Sequence, residues 1–165
     1  MNAPVHPLYT NVVSPEFLCR LNDSPFTEEQ LAGFDDEALA IVRQGQAYMD
    51  AHPARAIYRF ATEGSQTRDG GVVQEATSSL EFTLESGRSV CAAQKGDYVL
   101  YADGRTAQIV TGAGQGHRDV ALVGSRLCNG DEVINTLQGG CLLVRREGVA
   151  MDDDFLPSIK EEEHQ

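Results

Sequence analysis

The chain has 165 residues, of which 41% are hydrophobic and 23% charged, and its formal net charge at pH 7 is −12. This length suits one small domain with flanking arms, and no apolar run approaches the roughly 20 residues that a membrane-spanning helix needs. So acidic a surface would repel a phosphate backbone, and we expect no nucleic-acid partner.

The start of the chain lacks the basic and apolar regions of a secretory signal peptide, which predicts synthesis in the cytoplasm without such a signal. Four cysteines at wide spacings, with no Cys-x-x-Cys motif, are expected to be free thiols or metal ligands in that reducing compartment.

Acidic charge is concentrated at both ends of the chain. Residues 1–57 carry 8 acidic and 3 basic side chains, residues 58–145 carry 10 and 8, and residues 146–165 carry 7 and 2, so the net charges are −5, −2 and −5. We divide the chain into an N-terminal arm with a helix (1–55), a β domain (56–145) and an acidic C-terminal tail (146–165).

The N-terminal arm begins with a proline-punctuated region, to about residue 24, that is predicted to be extended. Residues 27–30 then match a capping box, in which the side chains of Thr27 and Gln30 each accept a hydrogen bond from the other's backbone amide at the start of a helix. Gly33 with Asp35 and Asp36 divides the helix, and Pro53 ends it. One apolar face follows, which either packs on the neighbouring sheet or binds a partner: Leu31, Phe34, Ala38, Ile41 and Tyr48.

From residue 56 onward, short β-branched runs alternate with the tight-turn sequences Asp-Gly and Asn-Gly. The same unit is written three times: a strand, a Gly-Ser or Gly-Asp corner, a tight turn and a returning strand. Its corner glycines are Gly64, Gly96 and Gly124, spaced by 32 and 28 residues. The returning strands end in Val72-Val73, Ile109-Val110 and Val133-Ile134.

Isolated two-stranded hairpins are marginal in water, so these three must pack around one another. Pseudo-threefold packing would bring the turns together at a narrow end and leave strand edges around a broad base. The returning apolar residues would fill such a cone or its base. An ordinary small β-barrel or roll is the alternative that the spacing leaves open.

Residues 57–73, and especially Gly64-Ser65 with Gly70-Gly71-Val72, resemble the opening of PAAR domains. Residues 120–136, with Val123-Gly124-Ser125 and Asn129-Gly130-Asp131, resemble the later half of the same domain. The resemblance covers roughly residues 57–137 and implies a β-cone that caps the trimeric VgrG spike of a type VI secretion system.

The family also implies a zinc ion near the tip, held by three histidines and a cysteine. Only His117 lies within the β domain, so a site here would combine His117 and Cys128 with Cys91 or Cys141. The alternatives are that Cys91 and Cys141 are small core side chains and that His117 is a solvated loop residue.

The resemblance therefore predicts a structural spike-tip protein that is not an enzyme, carries effector or adaptor cargo and leaves the cell on the spike. One alternative is a secreted toxin whose catalytic groups lie among Asp97, Asp103, His117 and Asp119, although nothing in their spacing brings them together. The other is a β-roll binding module unrelated to secretion.

Overall fold

The computed structural model describes residues 8–156 and is mainly β, as the sequence predicts. Its helices are α1 (Pro15–Arg20), α2 (Glu28–Ala32) and α3 (Asp36–Ala51), and a short 3-10 turn spans Gln115–His117. The strands are β1 (Ala54–Arg59), β2 (Val72–Val73), β3 (Glu81–Thr83), β4 (Ser89–Cys91), β5 (Tyr98–Leu100), β6 (Thr106–Gln108) and β7 (Leu142–Arg146). None of the helices described could cross a membrane.

The chain divides into two compact units, which we call the hairpin unit and the helical unit. Among the described residues, the hairpin unit contains 8–11, 58–143 and 151–156, and the helical unit contains 12–57 and 144–150. The division made from the sequence (1–55, 56–145 and 146–165) thus places residues 8–11, 56–57 and 144–156 differently. Residues 157–165 of the predicted acidic tail lie outside the described residues.

The predicted start and division of the helical segment are confirmed. Thr27 accepts a hydrogen bond from the Gln30 amide at 3.1 Å, and the Gln30 side chain accepts one from the Thr27 amide at 2.9 Å. Gly33 ends α2, and Asp35 caps α3 by accepting a hydrogen bond from the Ala38 amide at 2.8 Å. Helix α3 ends at Ala51, before Pro53.

One expectation for this segment is wrong. The region predicted to be extended contains α1, which has Ser14 as its N-cap and Pro15 at its start. Of the two alternatives for the predicted apolar face, packing on a neighbouring sheet does not hold for Ile41 and Tyr48, which are 65% and 48% exposed. The half-buried positions of α3 follow another helical face: Ala38, Leu39, Val42, Gln46 and Met49.

The hairpin unit contains three similar hairpins: hairpin 1 (65–73), hairpin 2 (97–109) and hairpin 3 (125–133). In each, the corner glycine donates its amide to the last residue of the hairpin: Gly64 to Val73 at 2.9 Å, Gly96 to Ile109 at 2.8 Å and Gly124 to Val133 at 2.8 Å. These glycines have positive φ angles of 87°, 100° and 108°, which a residue with a Cβ adopts only with strain. The corner spacing read from the sequence therefore marks equivalent backbone positions.

The three hairpins pair with one another in cyclic order. Val73 of hairpin 1 pairs with Val99 of hairpin 2. Ile109 of hairpin 2 then pairs with Leu127 of hairpin 3, and Val133 of hairpin 3 pairs with Thr67 of hairpin 1. Because each pairing is antiparallel, the three turns point in the same direction. The hairpins thus form a closed ring, and they do not lie side by side in one open sheet.

A second cycle of hydrogen bonds lies just before the corners. Ala61 donates its amide to the Ala121 carbonyl at 2.9 Å, Ala121 donates to Ala93 at 2.8 Å, and Ala93 donates to Ala61 at 2.9 Å. All three alanines are fully buried. Only a small side chain suits a position where three strands converge, so alanine at each of these positions is consistent with the closure.

The interior of the ring is built from equivalent positions of the three hairpins. Val73, Ile109 and Val133 are almost completely buried, as expected for residues that fill the structure. Val72 and Val110 are half-buried, whereas Ile134 is 40% exposed. Strand side chains alternate between two faces, so only one residue of each apolar pair points into the ring.

Candidate functional site at the turn end

The turn end of the hairpin ring is formed by three tight turns. Gly70, Gly104 and Gly130 have φ angles of 93°, 87° and 86°. Each donates its amide to the carbonyl three residues earlier, at 2.9 to 3.1 Å. Asp-Gly and Asn-Gly sequences favour this geometry because glycine adopts a positive φ angle without strain, and Asp103 and Asn129 accept the backbone amides two residues later. The three turns are thus specified locally by the sequence.

Beneath these turns lies a fully buried carboxylate, Asp131. Its Oδ2 accepts hydrogen bonds from the Thr67 and Tyr101 hydroxyls, both at 2.5 Å. Its Oδ1 accepts the backbone amides of Asp69 at 3.1 Å and Glu132 at 2.7 Å. One side chain of hairpin 3 therefore bonds to hairpins 1 and 2. With a further bond of 3.1 Å from the Asn129 amide to the Tyr101 hydroxyl, these residues form what we call the Asp131 clasp: Thr67, Tyr101, Asn129 and Asp131.

The clasp breaks the equivalence of the three hairpins. Counting back from the last residue of each hairpin, Asp131 occupies the position of Gly71 in hairpin 1 and Ala107 in hairpin 2. At Gly71 a Cβ would lie 2.2 Å from a methyl carbon of Val99, so hairpin 1 has no room for a side chain there. Hairpin 2 is four residues longer than each of the other two hairpins. Tyr101 lies in this additional stretch, which has no counterpart in hairpins 1 and 3, and its hydroxyl group reaches Asp131. Small residues at two equivalent positions thus leave space for one carboxylate at the third.

The hydrogen bonds keep Asp131 ionised. Burial by itself raises the pKa of this carboxyl group, but the bonds from Thr67, Tyr101 and the two amides outweigh it, and the pKa lies below the ordinary value of 3.8. Arg68 Nη2 lies 3.9 Å from the carboxylate and supplies a nearby positive charge. A buried carboxylate with all of its acceptor positions occupied fixes the arrangement of its donors.

The predicted zinc ligands lie on different elements. His117 is exposed in the 3-10 turn between hairpins 2 and 3. Cys128 is exposed in the turn of hairpin 3, where its sulfur accepts the Gln108 amide at 3.4 Å. Cys91 is half-buried, and burial, followed by the charges of Glu63 and Glu81, raises the pKa of its thiol, which disfavours the thiolate that zinc requires.

These residues do not fit the family's set of three histidines and one cysteine. Within residues 8–156, no three histidine, cysteine, aspartate or glutamate side chains are grouped so that they could hold a metal ion. Asp131, the buried acidic group beneath the turns, already accepts four hydrogen bonds. Zinc at His117 and Cys128 therefore remains a prediction from the sequence, and the turn end has a different set of interactions.

The candidate catalytic residues of the enzyme alternative lie in hairpin 2 (Asp97 and Asp103) and at the 3-10 turn that follows it (His117 and Asp119). Asp97 is buried at the corner of hairpin 2, where it accepts hydrogen bonds from Thr77 and from the Gln94 amide. Asp103 is exposed and paired with Arg105 at 2.6 Å. Asp119 adopts a φ angle of 54° beside the 3-10 turn. Asp97 and Asp103 thus have local structural partners.

The sequence did not indicate the clasp. Asn129-Gly130-Asp131 is a common turn sequence, so the sequence predicts Asp131 as part of the turn, and Thr67 and Tyr101 show no periodic signal. One weak signal was available: Asp131 falls two residues before the apolar Val133, on the same face of its strand.

No family model, no curated protein and no solved structure matches this chain.

Proposed function

We propose that this chain is a PAAR-like spike-tip protein, whose hairpin unit is a β-cone that caps a trimeric VgrG-type spike. The cyclic pairing of three equivalent hairpins carries this proposal. A single chain with internal threefold repetition can place the same surface against each subunit of a trimer. The Gly-Ser corners, by which the sequence resembles PAAR domains, lie at equivalent positions of hairpins 1 and 3, and the Gly-Gly-Val return follows the turn of hairpin 1.

In this proposal the turn end leads and the opposite end docks. The turns are small and polar, and the Asp131 clasp fastens them together. Ile134, which follows Val133 where hairpin 3 leaves the ring away from its turn, is 40% exposed. An exposed apolar side chain at that end suits burial against a partner. The chain would leave the cell on the spike and act as a structural part, not as an enzyme.

The helical unit is the proposed attachment point for an effector or adaptor. Ile41 and Tyr48 on α3 and Phe26 before α2 are exposed, at 65%, 48% and 39%. Exposed apolar side chains on a helix commonly mark a surface that binds another protein.

Co-expression with the cognate trimeric spike protein tests the capping function. We expect a complex of one chain per trimer, measured by native mass spectrometry. Ile134→Glu should abolish the complex without changing the melting temperature, because it places a charge in the proposed dock. Asp103→Lys, on the turn of hairpin 2, is the matched control and should bind normally. Loss of binding by Asp103→Lys with retention by Ile134→Glu would reverse the proposed orientation, and absence of any complex would overturn the capping function.

A further inference from the structure

A groove lies beside the free edge of β3 in the hairpin unit. Among residues 8–156, strand β3 pairs only with β4, in the register Glu81 to Cys91, Phe82 to Val90 and Thr83 to Ser89. The groove encloses about 530 Å³. Its lining residues are Tyr9, Glu81, Phe82, Thr83, Leu84, Glu85, Leu137, Gln138, Gly139, Gly140 and Cys141.

The hydrogen-bond pattern shows which backbone groups of β3 remain available. Leu84 donates to the Arg88 carbonyl at 2.8 Å, and Ala92 donates to the Leu80 carbonyl at 2.9 Å. In an antiparallel pair, hydrogen-bonded positions alternate with positions whose backbone groups point outward. The N–H and C=O groups of Glu81 and Thr83 therefore face away from β4, and no hydrogen bond to them exists among the described residues.

The facing wall of the groove is held rigidly. Gln138 is buried, and its side chain donates to the Phe60 and Cys141 carbonyls and accepts the Cys141 amide, at 2.7 to 2.9 Å. Arg59 donates to the Gly139 carbonyl at 3.0 Å. At Gly139 a Cβ would lie 2.6 Å from the Tyr9 ring, so only glycine lets the aromatic ring approach. Because these residues are already ordered, they lose little conformational entropy when a ligand binds.

We propose that this groove binds an extended segment of a partner protein that alternates apolar and basic side chains. The outward backbone groups of Glu81 and Thr83 would pair with the segment, as in β-strand addition. Phe82, Leu84 and Leu137 supply apolar surface. Both charged residues of the groove, Glu81 and Glu85, are acidic, which selects lysine or arginine. A second copy of this chain, with a net charge of −12, would be repelled. The inference does not depend on the spike-tip function.

The test uses the complete chain and two synthetic peptides of about seven residues, a typical strand length. One alternates valine with lysine and the other valine with glutamate. We expect the lysine peptide to shift the backbone amide NMR signals of Glu81 and Thr83, and the glutamate peptide to leave them unchanged. Shifts confined to other residues, equal binding of the two peptides or no binding at millimolar concentration would overturn the proposal.

Two further variations separate backbone pairing from charge. A lysine peptide with N-methylated amides should not bind, because it cannot donate hydrogen bonds to the edge of β3. Glu85→Lys should weaken binding of the unmodified peptide about fivefold, which is near the upper limit of what one exposed ion pair contributes to binding. Glu75→Lys makes the same charge change at an exposed residue outside the groove and should bind like the parent. Equal loss in both variants would indicate general electrostatic attraction and contradict the assigned groove.

Discussion

The hairpin unit and the helical unit are stabilised in different ways. Apart from Ala54 and Ile57, every buried hydrophobic side chain within residues 8–156 belongs to the hairpin unit. Helices α1, α2 and α3 contain no buried residue. The hairpin unit therefore depends on apolar contacts between segments far apart in sequence, which provide the dominant stabilisation in folded proteins.

The helical unit depends on caps and on a few polar anchors. Arg146 donates to the Asn22 side chain at 2.9 Å, the His52 carbonyl at 3.1 Å and the Leu21 carbonyl at 3.0 Å. Hydrogen bonds from a charged donor such as this each contribute about 1.5–3 kcal/mol net. We therefore expect a substitution inside the ring to destabilise the whole hairpin unit, whereas a substitution in a helix should destabilise that helix locally.

The largest expected effect comes from opening a cavity inside the ring. Leu127 is fully buried, so Leu127→Ala should lower the free energy of unfolding by about 2–5 kcal/mol. The matched control is Ile41→Ala on α3, where the side chain is 65% exposed and the expected change is within about 0.5 kcal/mol. Urea unfolding followed by circular dichroism measures both. Similar losses in the two variants would contradict the proposed difference between the units.

An intermediate effect is expected at the Asp131 clasp. Asp131→Asn presents an amide donor to groups that are themselves donors, so it should cost about 1–3 kcal/mol at neutral pH. Asp103→Asn, on the exposed turn of hairpin 2, should change stability little. Thermal unfolding at pH 7 compares the two variants. Equal stability of parent and Asp131→Asn would show that the clasp does not fasten the hairpins.

The Asp131 clasp also predicts the direction in which stability changes with pH. The pKa of Asp131 is lowered in the folded protein, so its contribution is fully present above the ordinary carboxyl pKa and is lost as the pH falls through the lowered value. The difference in melting temperature between the parent and Asp131→Asn should therefore shrink as the pH is lowered from about 5 to about 2. A difference that stayed constant would rule out this titration as its cause.

The smallest effect is expected at the cap of α3. Asp35→Ala removes the acceptor for the Ala38 amide and should cost about 1 kcal/mol. Asp35→Ser keeps an N-cap acceptor and should restore most of it. Hydrogen exchange should accelerate in α3 and stay unchanged in the hairpin ring. Faster exchange at Ala61, Ala93 and Ala121 would mean that the two units unfold together.

The features that the sequence predicted correctly are local ones. The capping box at Thr27 and Gln30, the break at Gly33 and the corner glycines all follow from which backbone conformations a residue type permits. The same reasoning could have found α1, because Ser14 followed by Pro15 and Glu16 is a helix start. The prolines of that region were instead interpreted only as breaks.

The apolar face of α3 was predicted less well. Ile41 and Tyr48 fit a helical period, yet Ala38, Val42 and Met49 form the half-buried side. Periodicity identifies faces of a helix, but the neighbouring chain decides which face is covered. The position of Ile134 is a similar case, since an apolar pair in a strand does not reveal which member points inward.

The sequence alone determined where the chain turns, because glycine, asparagine and aspartate are selected by backbone conformation within a few residues. Tertiary structure decided how the three hairpins close into a ring, through the Ala61, Ala93 and Ala121 hydrogen bonds. It also decided that Asp131, and not an apolar residue, sits among them. These contacts join residues about 30 or more positions apart, and a carboxylate is stabilised in a buried site only when its donors, here Thr67 and Tyr101, arrive from other segments.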